Sequence, residues 1–128
     1  MYLKTEPFGP NQVVLSELSG LQRIEYLEAI VEHMSALENI PDAIPEANKM
    51  AIFGSLTIKL HAWLVSRSLW QQDRERALDD IFNQVLNDWP PRLINEAALL
   101  VQQLSGIVPE SASEEPADES TSSTPGKS

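Results

Sequence analysis

The sequence predicts a mainly α-helical protein. It reads as a small bundle of about four helices, with a short N-terminal β-hairpin in front and a disordered acidic tail behind. Three observations carry that expectation. Apolar residues recur every three or four positions from Leu18 to Leu104, the period of helices packed on one side. Prolines at 41, 45, 90 and 91 fall between the periodic stretches, where they stop one helix and open the next. The two ends depart from the helical period, each in its own way.

At the N-terminus, Tyr2, Lys4 and Glu6 alternate with Leu3, Thr5 and Pro7. Gly9-Pro10-Asn11 is a turn signal, and Val13, Val14 and Leu15 resume an extended pattern. A hairpin arm over residues 1–18 fits this, with Pro7 confining the first strand to an edge. An irregular arm is the alternative.

The first helix begins after Ser16 or Ser19. Ser19 with Gln22 three residues on makes a capping box. Leu18, Leu21, Ile24, Leu27, Ile30, Val31, Met34 and Leu37 form its apolar side, and Glu25, Glu28 and Glu32 its polar side. The second helix runs from about Glu46 to about Trp70. It carries two adjacent stripes, Phe53, Leu56, Leu60, Trp63, Trp70 and Ile52, Ala62, Val65, Leu69, so it is expected to be the central helix. Part of so broad a stripe is expected to lie against another chain. The third is expected over about Arg74 to Asn87 with Asp73 as its N-cap, and Trp89-Pro90-Pro91 ends it. The fourth opens at the second proline and stops at Gly106, its natural C-terminal glycine. Residues 1–107 are thus expected to be one helical domain. Residues 108–128 contain one large apolar residue, Val108, and five acidic residues against one lysine, the composition of a disordered tail.

Charge and composition exclude several classes of function. The chain of 128 residues carries a net charge of −10, which repels phosphate backbones and anionic membranes, so neither nucleic acid nor membrane is an expected partner. With no cysteine there is no disulfide and no thiol chemistry. The N-terminus lacks the apolar stretch of a signal peptide, and no apolar run reaches the roughly 18 residues of a membrane span.

Motifs for catalysis are absent as well. The five glycines make no phosphate loop, and there is no GxSxG elbow. His33 and His61 lack the converging ligands that a zinc site needs. The paired carboxylates Glu25/Glu28 and Asp79/Asp80 fall on exposed faces and read as solvated charge or as an acidic docking face for a basic or amphipathic helix. No enzymatic activity, metal or cofactor is expected. Trp63 and Trp70 fit the core, whereas Trp89 at its helix junction fits either the core or a partner contact.

Three blocks of sequence carry a family resemblance. YLKTEPF followed by LSELSGLQRIEYL (residues 15–27), SRSLW (66–70) and VLNDWPPRLINEAALLVQQLSGI (85–107) closely resemble, in the same order, the minor tail protein G family of lambda-like long-tailed bacteriophages, the tail assembly chaperones. The hairpin tip departs from the family, with Gly9-Pro10-Asn11-Gln12 where relatives usually carry Asn-Gly, and residues 38–50 are expected to be a variable connection. The resemblance implies a chaperone that binds the tape measure protein and keeps it soluble in the host cytoplasm until the tail tube polymerises around it. Such a chaperone is absent from the mature virion. It also implies a −1 frameshifted fusion that recruits the major tail protein, with the slip at Gly126-Lys127. Homo-oligomeric coats on the client are compatible with the family. The face for the client, on this reading, combines Leu27, Ile30, Met34, Leu56 and Leu60, with Trp89 as a further contact, although core packing explains the same helix residues. A structural or tail completion protein retained in the virion is the alternative.

Overall fold

The computed structural model describes residues 3–107, so the expected acidic tail, with Gly126 and Lys127, lies outside the described residues. The element order is β1 (Thr5–Phe8), β2 (Val13–Ser16), α1 (Gly20–Glu38), α2 (Glu46–Trp70), α3 (Leu78–Asp88) and α4 (Pro91–Leu104). The expected mainly helical class with an N-terminal hairpin is therefore observed.

The two strands pair antiparallel, with Thr5 opposite Ser16 and Phe8 opposite Val13. Their turn closes through the Gln12 N–H, which donates to the Gly9 carbonyl at 3.0 Å. Gly9 sits at φ +78°, a region that costs a glycine little and other residues more. A two-stranded hairpin is marginal in water and needs a surface to pack on. Here β2 supplies the contact: Leu15 and Ser16 are fully buried, whereas β1 is largely exposed. The hairpin is consequently a wall of the core and no free arm.

Both halves of the expected capping box at the start of α1 are present. Ser19 Oγ accepts from the Gln22 N–H at 3.2 Å, and Gln22 Oε1 accepts from the Ser19 N–H at 3.1 Å. At the other end of the bundle, α4 opens with Pro91 in its first turn and closes on Gly106 at φ +72°. The Ile107 N–H donates to the Gln102 carbonyl at 2.8 Å and the Gly106 N–H to the Gln103 carbonyl at 3.2 Å, a Schellman closure that satisfies two terminal carbonyls.

The third helix begins later than its sequence suggests. Asp73 does not cap it; its carboxylate points to Arg76 instead, at 4.0 Å. Residues 71–77 form turns held against the end of α2, where the Arg74 guanidinium lies 5.0 Å over the Trp70 ring and donates to Gln71 Oε1. The helix opens after Ala77, with Asp79 and Asp80 in the first turn, where carboxylates favour the positive end of the helix dipole.

As expected, α2 is central and touches α1, α3, α4 and β2. Its fully enclosed residues, however, all fall between Ala62 and Ser68. Length explains this. Helices of 11 and 14 residues, α3 and α4, reach about 17 and 21 Å, against about 37 Å for the 25 residues of α2. They cover its C-terminal half only. The N-terminal half of α2 and the C-terminal half of α1 form a helical hairpin whose outer surface no other described element covers.

A polar joint sits inside this core. Ser68 Oγ accepts from the Ser16 N–H at 2.6 Å and donates to the Ser16 carbonyl at 2.9 Å, with both serines fully buried. The last residue of β2 thereby continues its hydrogen bonding onto a helix side chain. Replacing Ser68 by Ala strands both backbone groups of Ser16 away from water, at about 1–3 kcal/mol each. Urea unfolding of Ser68→Ala is expected to show a loss of at least about 2 kcal/mol with an unchanged m value.

Candidate partner-binding face

The orientation of α1 follows from a second set of polar contacts. Gln22 is buried; its Nε2 donates to the Arg67 carbonyl at 3.2 Å, and its Oε1 accepts from Gln71 Nε2. One turn on, Tyr26 stacks on Trp63 with ring centroids 5.9 Å apart, and its hydroxyl accepts from Gln102 Nε2 at 3.0 Å. The Arg67 guanidinium lies 4.3 Å over the ring of that same tryptophan. At the start of the helix, the Leu18 N–H donates to Ser105 Oγ and Arg23 to the Ser105 carbonyl, each at 2.9 Å. Gln22 and Tyr26 are the buried residues of α1.

With that side inward, the apolar stripe faces out. Leu21, Ile24, Leu27, Val31 and Met34 are between 56% and 67% exposed. The expectation that this stripe is core is corrected: apart from Leu18, which precedes the helix and is buried, only Ile30 and Leu37 lie part-way in. The residues expected at a client face therefore divide. Leu27 and Met34 share the exposed stripe, whereas Ile30 and Leu60 are half-buried against the core and Leu56 is half-buried on α2. Trp89 is half-buried against the core, its ring stacked on Phe8 at 6.1 Å.

Sequence reasoning missed Leu21, Ile24 and Val31 as surface residues, and Met50 and Phe53 on α2, which are 69% and 53% exposed. A signal was available. Seven large apolar residues and Tyr26 on one helix of 19 residues exceed what one partner helix can cover. At the tip of the helical hairpin, Leu37, Ile40, Met50 and Phe53 line an open groove rimmed by Asp42, Glu46 and Lys49.

The charge around the stripe is negative. Helix α1 carries Glu25, Glu28, Glu32 and Glu38 against Arg23, whose guanidinium is tied to Ser105. Among the described residues no basic side chain pairs with any of these glutamates. Burial lowers His61 from its ordinary pKa, and the neighbouring His33 lowers it further. Burial also lowers Arg67, while Glu25 and Asp79 pull the other way; a guanidinium stays charged under such a shift.

Among the described residues no three His, Cys, Asp or Glu side chains are grouped to hold a metal, and no helix is long and apolar enough to cross a membrane. What the surface offers is packing and charge. Since Leu27 and Val31 touch little of their own chain, Leu27→Ser with Val31→Ser is expected to change stability by less than about 0.5 kcal/mol. Tyr26→Ala is expected to cost at least about 3 kcal/mol. Thermal and urea unfolding of the two variants side by side checks this.

Comparison with known proteins identifies the family. The chain matches the family described as bacteriophage lambda tail assembly chaperone, TAC, protein G, over residues 1–124. It is 34% identical over 117 residues to tail assembly protein G of Escherichia phage lambda, covering 84% of this chain and 79% of that protein. It is 32% identical over 119 residues to tail assembly protein G of Escherichia phage N15, again covering 84% and 79%. The longer tail assembly protein GT of phage lambda matches at 34% identity, with 39% of its length covered. No solved structure matches. The family is non-enzymatic, and this chain belongs to it: the lambda tail assembly chaperones of the protein G type.

Proposed function

We propose that this chain binds the tape measure protein of its phage and keeps it soluble until the tail tube polymerises around it. The observation that carries the reading is the apolar stripe of α1, exposed along the helix and flanked by uncompensated carboxylates. A long helical client exposes apolar stripes of its own, and a surface of this kind covers them without ATP or a cofactor. The net charge of −10 keeps a complex of many copies soluble. Of the residues expected at the client face, the exposed Leu27 and Met34 meet the client directly; Ile30, Leu56, Leu60 and Trp89, each half-buried, offer it less surface.

The reading extends to a second product. A −1 frameshift at Gly126-Lys127 would append a domain that recruits the major tail protein, with the acidic stretch 108–128 as the connection. The GT proteins of lambda and N15, of which this chain covers 39% and 44%, support it by their length. Both products act in the host cytoplasm and are absent from the finished virion.

Co-expression with the tape measure protein of the same genome tests the proposal. The client is expected to be insoluble alone, and soluble and co-purifying when this chain is present. A client that stays insoluble and unbound beside a folded chain contradicts it.

A further inference from the structure

We infer that the exposed stripe of α1 takes a single amphipathic helix whose apolar side is flanked by lysine or arginine. The inference rests on the proposed chaperone role and names the binding mode within it. The stripe of Leu21, Ile24, Leu27, Val31 and Met34 follows helical spacing and extends about 20 Å, room for four turns of a partner helix. Partner helices dock on such a stripe through residues at the same three-and-four spacing. Charge selects among the candidate occupants. Glu28 and Glu32 are exposed along one side of the stripe, Glu38 lies at its end, and no basic side chain of the described residues pairs with them.

A second copy packed antiparallel would bring the same glutamates to the same line, and like charges so placed repel. The chain's own segment 108–128 suits the face no better, since it carries one large apolar residue and five carboxylates. A helix with basic flanks supplies what both lack. It covers the apolar stripe and places ammonium or guanidinium groups against Glu28 and Glu32.

Two labelled peptides of about 18 residues test this by fluorescence anisotropy on the full chain. Both carry the same leucine stripe, flanked in one by lysines and in the other by glutamates. The lysine peptide is expected to bind at least tenfold tighter. Leu27→Glu with Val31→Glu is expected to weaken it at least tenfold, with an unchanged circular dichroism spectrum. Glu28→Lys with Glu32→Lys, which leaves the apolar stripe intact, is expected to reverse the preference.

Equal binding of the two peptides overturns the inference. So does binding that ignores the Leu27 and Val31 substitutions. A dimer in light scattering that Val31→Glu dissociates overturns it too, by assigning the stripe to a second copy. The tape measure protein separates this inference from the functional reading. If the native chain keeps that client soluble and the Leu27→Glu, Val31→Glu variant does so equally well, the docking mode falls and the chaperone role stands. If the native chain fails, the chaperone role falls.

Discussion

The pair of hydrogen bonds between Ser16 and Ser68 is the constraint on which the rest of the architecture depends. β2 ends there, at full burial, and its last backbone groups need partners away from water. A helix side chain provides them, which fixes the hairpin across the C-terminal half of α2. Six residues after Ser16, Gln22 repeats the device, bonding to the Arg67 carbonyl and to Gln71. These contacts set where α1 starts and which side of it turns inward. Apolar packing alone does not favour that orientation. It buries a glutamine and leaves leucine, isoleucine and valine in water.

Seen this way, the exposed stripe of α1 is a consequence of the joint. Satisfied buried polar groups specify one arrangement more strictly than nonpolar contacts, because the penalty for leaving them unpaired is large. The cost falls on the other side of the helix, where hydrophobic area remains uncovered. The short α3 and α4 compound the effect, since they end before the N-terminal half of α2. A chain built for its own stability would cover that area. On the proposed reading, a chain whose work is to cover a client keeps it open, and its net charge of −10 opposes self-association meanwhile.

Much of this was legible in the sequence. The bounds of α2 at Glu46 and Trp70, the Ser19–Gln22 capping box, the proline break after Trp89 and the Gly106 closure all follow from local chemistry. The start of α3 did not, because Asp73 suits a cap by its type and is drawn off by Arg76, while the turn around Arg74 depends on the Trp70 ring. The direction in which α1 faces was hidden for a related reason: it is decided by residues 67, 71 and 102, far along the chain. The strings that carry the family resemblance, LSELSGLQRIEYL and SRSLW, turn out to hold both sides of the polar joint, Ser16 and Gln22 in one, Arg67 and Ser68 in the other. Leu21, Ile24 and Leu27 stand in the first string too, and no local pattern separates the residues that build the joint from those that it turns outward.

The most direct test of the account places a photo-crosslinking residue at Val31, on the exposed stripe, and in a second protein at Asn83, exposed on α3. Each is irradiated in cells that also make the tape measure protein. The account predicts a crosslink to that client from position 31 and none from position 83. A crosslink from position 83 alone, or one from position 31 only to another copy of this chain, would contradict it.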